Sequence, residues 1–521
     1  MAYDTESKNK VTIWLERGIV ACVFLVAAFA PHSIAVTQAA WLLGLVLWVA
    51  RLAVFPRPRL FRSPLDYALI GFFVLSGLSG VFSYNPIMSI GKMRAASLFT
   101  IVYLVAQNVR SLRVVRWLAL ALIASCMVNV LFTAGQLVVG RGVKVRGVRP
   151  DSPLARAVFH TRDVTRPTPI MSGDTIWEID GEPVNNPERL AAALAAGPQP
   201  AKVRIYRVEW TPTLEVPRGH LLSGTNALEQ LGISDWGRGR DWRATGFFGH
   251  WVTYAEVLQL IASLALGLFL ALPQKRSLIG LLLLLALAGL VFALGLTVTR
   301  ASWAGFGISA ALMLLLGTSR RTIMIAGACA IPIVLAGVFL LQQKRSIGFI
   351  DSKDQSTSWR ETVWKEGVQL LVSKPRHLLF GVGMDSIKGH WREWGLFEGG
   401  KIPLGHMHSN LLQIALERGI PTLLAWLVLL GLYARMLWRI IHHFPTDPPV
   451  QFRNAAFSQY RSSARGLALG ALGGLAGFFC SGLVHYNWGD SEVITVFYFI
   501  MGLSLIVERF RLGEKEMNAA K

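Results

Sequence analysis

The chain has 521 residues, of which 53% are hydrophobic and only 16% are charged, and its formal net charge is +21. Soluble domains carry about 25% charged residues, so the composition excludes a wholly soluble protein, a disordered chain and a collagen-like repeat. The cysteines all lie inside long apolar runs, so they are expected to be packing residues and no disulfide is needed; they are Cys22, Cys126, Cys329 and Cys480. The sequence therefore predicts an integral membrane protein.

Long apolar segments recur along the chain, and a helix of about 20 apolar residues crosses a bilayer. About twelve such spans are predicted, at residues 18–30, 34–54, 65–83, 90–109, 117–139, 251–272, 278–298, 302–316, 323–341, 411–437, 467–484 and 493–507. The predicted fold is an all-α polytopic membrane protein of about twelve transmembrane helices with a small α/β domain inserted.

Basic residues follow every even-numbered span, as Arg57, Arg110, Lys275 and Arg320 illustrate. Lysine and arginine stay on the cytoplasmic side of short loops, so both termini are predicted to be cytoplasmic and the two long loops to face outward. This topology and the anionic lipid headgroups account for most of the net charge. Membrane lipids are therefore expected partners, and nucleic acid is not.

The predicted organisation has seven parts. These are transmembrane helices 1–5 in residues 1–139, a small outward domain in 140–217, a connector in 218–250, helices 6–9 in 251–341, a large outward loop in 342–410, helices 10–12 in 411–507 and a cytoplasmic tail in 508–521.

The first long loop has the pattern of a small α/β domain. Alternating apolar and polar residues predict strands at 175–179 and 202–208, and Asp180-Gly181 indicates a hairpin turn. An amphipathic helix is predicted over 187–196, starting near Asn186.

Three short segments of this loop resemble a PDZ domain of the bacterial protease-associated type, namely PDSPLA at 150–155, GDTI at 173–176 and IDGEPV at 179–184. The resemblance implies a fold that binds an extended peptide or a chain terminus by adding a strand to its sheet edge. A spacer or lid over the membrane site is the alternative role for the same loop.

The second long loop is amphipathic, and its tryptophans Trp359, Trp364, Trp391 and Trp394 are typical of helices at a membrane interface. It ends in the segment GHMHSN at 405–410, directly before the tenth predicted span. His408 has three interpretations: a zinc ligand with His406, a histidine satisfied at the headgroup level, or a general base, since neutral imidazole accepts a proton from an attacking hydroxyl near pH 7.

Two arginines favour the general base. Arg300 lies at the outer end of the seventh span, where a charge is costly without a partner, and Arg360 lies in the second long loop. The planar guanidinium suits phosphate oxygens, so both arginines are candidates to hold a pyrophosphate beside His408. Snorkelling to lipid headgroups is the alternative for each arginine alone.

Residues 242–507 resemble the O-antigen ligase and polymerase family, whose members share a helical membrane domain of the GT-C type. The matching segments are ATGFFGH at 244–250, TRASWA at 299–304, WRETVW at 359–364, HSNLLQ at 408–413 and ERGIPT at 417–422. The most specific of these is His408 and Ser409 followed, after nine residues, by Gly419 and the segment to Thr422.

The resemblance implies transfer of a glycan from an undecaprenyl-pyrophosphate carrier to an acceptor hydroxyl at the periplasmic face of a Gram-negative inner membrane. Arg300 and Arg360 would hold the leaving pyrophosphate and His408 would activate the acceptor, with inversion and with no metal or cofactor. Asn410 is a candidate to orient His408, and Asp490 is a second candidate substrate-binding residue, although Asp490 equally suits the N-terminus of the last helix.

Several functions stay open at this point. Within the same chemistry, the acceptor is a lipid A-core, a glycan or a protein, so a polymerase and a protein oligosaccharyltransferase are alternatives to a ligase. A transporter or flippase also has about twelve spans, but the ionisable residues here cluster at the membrane ends and no internal repeat is evident. A membrane scaffold built around the PDZ-like loop leaves His408 and both arginines without a role.

Overall fold

The computed structural model describes residues 10–160, 165–207, 210–240, 242–325, 327–328, 331, 335, 355–402, 405–443 and 455–519. The chain divides into two compact units. One consists of Met1–Val130 together with Thr245–Lys521, and the other is Leu131–Ala244.

The larger unit is helical. Its N-terminal helices are α1 (Lys10–Phe29), α2 (Ile34–Ala53), α3 (Asp66–Val81), α4 (Pro86–Gly91), α5 (Met93–Ala96), α6 (Thr100–Asn108) and α7 (Leu112–Val139), the last of which continues into the smaller unit. Within the described ranges, ten helical segments are long and apolar enough to cross a membrane, and the shorter helix α3 is also apolar. The chain is thus a multi-pass membrane protein, which confirms the predicted fold class.

The smaller unit follows α7 and contains an antiparallel sheet. Its elements are β1 (Arg141–Val148), β2 (Val158–His160), β3 (Thr165–Pro167), β4 (Thr175–Ile179), β5 (Glu182–Pro183), α8 (Pro187–Ala195), β6 (Ala201–Tyr206), β7 (Thr213–Val216), α9 (Ala227–Leu231) and β8 (Ile233–Gly239). The strand order is β3-β2-β7-β6-β4-β1-β8, and β5 pairs with β4.

Local sequence explains the smaller unit's central elements. The two predicted strands correspond to β4 and β6, and α8 begins after Asn186, whose side chain accepts a hydrogen bond from the Arg189 backbone N–H. The turn residue Asp180 has a φ of 52°, as the predicted Asp-Gly turn requires. The sheet extends beyond residue 217, because β8 pairs with β1 and Ile233 packs in the same apolar core.

The larger unit resumes with α10 (Trp251–Ala271), α11 (Leu278–Leu296) and α12 (Arg300–Gly317). The second long loop contains α13 (Gln355–Val372), α14 (Pro375–Phe380), α15 (Ser386–His390) and α16 (Leu396–Gly400). It is followed by α17 (Asn410–Arg418), α18 (Ile420–His443), α19 (Ala455–Ser481) and α20 (Ser491–Ala519). The predicted ninth span, 323–341, lies largely outside the described residues.

Glycines allow three of these helices to pack closely. A Cβ on Gly267 of α10 would lie 2.3 Å from the backbone nitrogen of Gly470 in α19, and a Cβ on Gly305 of α12 would lie 2.7 Å from the carbonyl oxygen of Gly477. Small residues at such crossings let helix backbones approach, which is how membrane helices gain packing energy. The packing of α10, α12 and α19 brings together the polar side chains described below.

Two predicted spans differ from the observed helices. The fourth, 90–109, lies in the candidate membrane-crossing segment Pro86–Asn108, but this segment consists of the successive helices α4, α5 and α6. The predicted tenth span, 411–437, is wrong at its start, because α17 ends at Arg418 and the membrane helix α18 begins at Ile420. Gly419 between them has a φ of 83°, and a Cβ there would lie 2.2 Å from the carbonyl oxygen of Leu379, so only glycine fits this break.

Candidate active site

The backbone around His408 is held by its neighbours. The Met407 N–H donates a 2.6 Å hydrogen bond to Oε1 of Gln413, and the Met407 carbonyl accepts a 2.8 Å bond from the indole N–H of Trp364. His408 itself has a φ of 50°, a left-handed conformation that is uncommon for a residue with a side chain. Because both backbone polar groups of the preceding residue, Met407, are bonded, the loop can hold this strained conformation.

The His408 imidazole lies between two rings. Its ring centroid is 5.3 Å from that of Trp359 in an edge-to-face arrangement and 4.1 Å from that of His406. The His408 backbone N–H also donates a 3.3 Å hydrogen bond to Nδ1 of His406. These contacts fix the orientation of His408 from two directions.

The surroundings of His408 disfavour protonation. Its pKa is lowered to about 2, first by burial and then by four nearby cationic or titratable side chains, which are His406, Arg360, His485 and His250. The imidazole is therefore neutral at physiological pH, and one ring nitrogen keeps a lone pair that can accept a proton.

Arg360 lies close to His408. It is on α13, directly after Trp359, whose ring contacts His408, and its positive charge is one of the causes of the lowered His408 pKa. The sequence predicted these two residues at one site, and the structure brings them together.

Arg300 is the first residue of α12. It follows Val298, which has a φ of 50°, and Thr299, which is buried. A helix N-terminus carries a partial positive charge, so Arg300 adds to a field that attracts anions. Arg300 is two residues before Ser302, which belongs to the polar cluster described next.

A buried polar cluster around Glu256 was not predicted. Glu256 of α10 is fully buried, and its carboxylate accepts hydrogen bonds from four side chains. The donors are Ser302 at 3.1 Å, Ser481 at 2.7 Å, His485 Nδ1 at 3.0 Å and the Asn487 amide at 3.1 Å. The sequence feature that could have predicted the cluster is a single carboxylate in an apolar span. An ionisable residue at membrane depth is costly and commonly has a function.

Asn410 joins the histidine loop, residues 405–409, to the segment before α20. Its amide nitrogen donates a 2.5 Å hydrogen bond to Oδ1 of Asn487, and its amide oxygen accepts a 3.1 Å bond from the Trp488 backbone N–H. Among the described residues, the Asn410 amide bonds to these two partners and not to His408, which differs from the predicted orienting contact. Asn410 thus connects the loop carrying His408 to the Glu256 cluster through Asn487.

Asp490 combines two contacts. Its carboxylate accepts a 2.8 Å hydrogen bond from the Thr253 hydroxyl, and its backbone carbonyl accepts a 3.0 Å bond from the Ile494 N–H at the start of α20. The helix-terminal contact is thus made by the backbone, while the carboxylate faces α10. Burial raises the pKa of Asp490 to about 6.

A cavity of about 220 Å³ lies next to the histidine loop. His406 and Asp490 line it, and so do residues from distant parts of the sequence, including Lys92, Asp385, Lys388, Glu417, Arg418, Tyr486 and Trp488. Its lining residues do not include His408, Arg300 or Arg360. His406 therefore links the cavity to His408.

The described residues contain no group of three or more His, Cys, Asp or Glu side chains arranged to hold a metal ion. The polar groups of this region instead combine two neutral imidazoles, several cations and buried carboxyl groups. Such a set can accept a proton from a hydroxyl and stabilise negative charge on a phosphate.

Comparison with known proteins gives two matches. The O-antigen ligase family model matches residues 285–427, a segment that contains Arg300, Arg360 and His408. The chain is also 44% identical over 66 residues to the magnetosome formation protease MamE of Magnetospirillum gryphiswaldense. That similarity covers 13% of this chain and 7% of the length of MamE.

Proposed function

We propose that this chain, a member of the O-antigen ligase family by its residues 285–427, transfers a glycan from an undecaprenyl-pyrophosphate carrier to an acceptor hydroxyl. The family supports a membrane glycosyltransferase of the ligase or polymerase type. The observation that carries the finer proposal is the neutral His408 imidazole near Arg360, inside the matched segment.

In the proposed reaction, His408 takes the proton from the acceptor hydroxyl as that oxygen attacks the anomeric carbon of the donor sugar. A new glycosidic bond forms, and the bond between the anomeric carbon and the pyrophosphate oxygen breaks. The electron pair leaves with the undecaprenyl pyrophosphate, whose developing charge is stabilised by Arg300 and Arg360. Attack opposite the leaving group inverts the anomeric configuration.

Because the pKa of His408 is low, its ability to accept a proton depends on binding of the glycan donor. Arg360 is one of the positive charges that leave the imidazole with little affinity for a proton. A pyrophosphate beside Arg360 would offset that positive charge and raise the pKa of His408, because an opposite charge nearby favours the protonated form. His408 then becomes an effective base only after the donor has bound.

The location follows from the distribution of charges in the sequence. Basic loops after the even-numbered predicted spans support a position of the histidine loop on the side opposite the cytoplasm. We therefore place the reaction at the periplasmic face of the inner membrane, where the acceptor is a lipid A-core, another glycan or a protein.

We also propose that the smaller unit is a PDZ-like domain that binds a peptide. Its sheet ends at the short, exposed strand β3, and an extended peptide binds such an edge by adding one more strand. Measuring capture of peptides with free C-termini by the full chain tests this role, and failure to capture any would contradict it.

The experiment that tests the transfer reaction compares surface glycans of cells that lack this chain and are complemented with wild type, His408→Ala or His443→Ala. His443 is an exposed histidine at the end of α18, so it provides a matched control. Gel electrophoresis and mass spectrometry would report the glycan profile, and membrane immunoblots would report expression.

We expect carrier-linked glycan to accumulate with His408→Ala while full-length chains disappear from the acceptor. Single-unit chains on the acceptor would identify a polymerase instead of a ligase. A normal profile from well-expressed His408→Ala protein would exclude the general-base role.

A further inference from the structure

The cavity beside the histidine loop contains a buried cation with unused donors. Arg418 is 8% exposed, and its Nε has no hydrogen-bond partner. One Nη group donates a 3.4 Å bond to the Ser76 hydroxyl, and the guanidinium carbon lies 5.4 Å from the Phe72 ring centroid. Among the described residues it forms no salt bridge within 4.0 Å, although a guanidinium has five N–H donors.

The carboxylate of the adjacent residue, Glu417, is hydrogen-bonded to groups other than Arg418. Glu417 accepts a 2.8 Å hydrogen bond from the Asp385 backbone N–H and a 3.3 Å bond from the Tyr486 hydroxyl. Burial also raises the pKa of Glu417, so its negative charge is disfavoured. The positive charge of Arg418 opposes this rise in the Glu417 pKa, but none of the described carboxylates forms an ion pair with the guanidinium, so a bound anion would fill its unused donors.

Two lysines of the cavity lining share one carboxylate, although the lining as a whole has three cationic side chains and three carboxyl groups. Lys92 and Lys388 both pair with the single carboxylate of Asp385, at 2.8 Å and 2.9 Å. Both lysines are about half exposed, so they can reach a ligand that enters. Asp490, the third carboxylate of the lining, instead accepts its hydrogen bond from Thr253.

The size and walls of the cavity limit the ligand. A volume of about 220 Å³ exceeds the roughly 30 Å³ share of one water molecule but is below the 300 Å³ or more of typical drug-sized pockets. Tyr486 and Trp488 provide aromatic surface beside the charged groups. One sugar ring with a charged substituent matches this combination.

We propose that the cavity binds an anionic sugar of the acceptor, with Arg418 contacting its carboxylate or phosphate group and His406 separating it from His408. This inference rests on the proposed function, because the acceptor hydroxyl must reach His408. Arg418 acts in binding, and the proton transfer stays with His408.

The test measures binding without turnover. The purified full chain in deuterated detergent is titrated with glucuronate, glucose 6-phosphate or glucose, and saturation-transfer NMR gives each dissociation constant. We expect both anionic sugars to bind about tenfold or more tightly than glucose, since a charge-assisted hydrogen bond adds enough for that factor. Whichever of the two anionic sugars has the lower dissociation constant identifies the carboxylate or the phosphate as the preferred group.

Variants assign the effect to Arg418. Arg418→Gln should lose about tenfold or more of the affinity for the preferred anionic sugar, and Arg418→Lys should lose less. Arg435→Gln replaces an exposed arginine on α18 and should bind like wild type. If Arg418→Gln does not fold, as judged by thermal unfolding, Lys388→Gln at the exposed edge should still weaken anion binding by roughly threefold.

Equal binding of the three sugars to wild type would overturn the proposal, and so would unchanged anion binding by a folded Arg418→Gln protein. Because no transfer is measured, the result is separate from the His408 test. If anionic sugars do not bind preferentially but His408→Ala abolishes transfer, the cavity proposal fails and the transferase proposal stands. If anionic sugars do bind preferentially but His408→Ala transfers glycan normally, only the proposed transfer mechanism is contradicted.

Discussion

Two histidines on neighbouring loops have opposite surroundings. His408 is next to His406 and Arg360, and its pKa is low because burial and these charges disfavour the protonated ring. His485 instead donates a 3.0 Å hydrogen bond from Nδ1 to the buried carboxylate of Glu256. The partner of each imidazole, and not the residue type, therefore decides its role. His408 keeps a lone pair that can accept a proton, while His485 stabilises the packing around Glu256.

The largest expected effect comes from removing the His408 lone pair. His408→Gln keeps a polar side chain of similar size but removes the base, so the transfer rate should fall by about 10² to 10⁴. His485→Gln keeps an N–H donor for Glu256 and should lose much less activity. A radiolabelled donor assay on purified protein measures both rates. Equal losses in the two variants would end the distinction between the histidines.

The next largest effect is expected from replacing Glu256, whose carboxylate accepts the hydrogen bond from His485. Glu256→Gln turns one acceptor oxygen into an NH₂ group facing two of the four donors, so the free energy of unfolding should fall by about 3 kcal/mol. Thermal unfolding in detergent measures the change, and Glu393→Gln, at an exposed glutamate, serves as the control. An unchanged stability would mean that the Glu256 cluster does not hold the two loops.

The difference between the two loops also shows what sequence reasoning can reach. His408 and Arg360 were predictable because a short motif and an arginine outside the apolar spans carry their own chemical signal. Glu256 was missed because one carboxylate hardly changes the hydropathy of a 21-residue helix, and its donors come from two other helices and a loop. The Arg418 cavity depends on tertiary contacts between residues as distant as Lys92 and Asp490.

The fold was predictable where composition alone decides it. Apolar runs located most membrane helices, since each must satisfy its own backbone inside the bilayer. The break at Gly419 was missed because hydropathy counts apolar residues and does not register a backbone with positive φ. That break matters for the site, because it separates the short helix carrying Arg418 from the membrane helix that follows.

A third prediction concerns Asp490, beside the His485 loop. Its pKa is raised from an ordinary 3.8 to about 6, so the folded state binds a proton more tightly than the unfolded state does, and stability should fall as the pH rises. Between pH 4.5 and 7, wild type should lose about 2 kcal/mol relative to Asp490→Asn. Thermal unfolding across this range measures the difference, and parallel curves for the two proteins would contradict the raised pKa.

The smallest expected effect is the pH dependence of stability that His408 causes, and its sign is opposite to that of Asp490. Because the folded pKa is lowered from 6.5 to about 2, the unfolded chain binds the proton first as the pH falls, and stability decreases on acidification. From pH 7 to 5.5, wild type should lose about 1 kcal/mol more than His408→Gln. Saturating the protein with pyrophosphate should reduce this loss, because an anion beside Arg360 raises the pKa of the imidazole. If pyrophosphate does not change the loss of stability on acidification, the anion does not affect the pKa of His408. That result would contradict the proposed coupling between donor binding and the base.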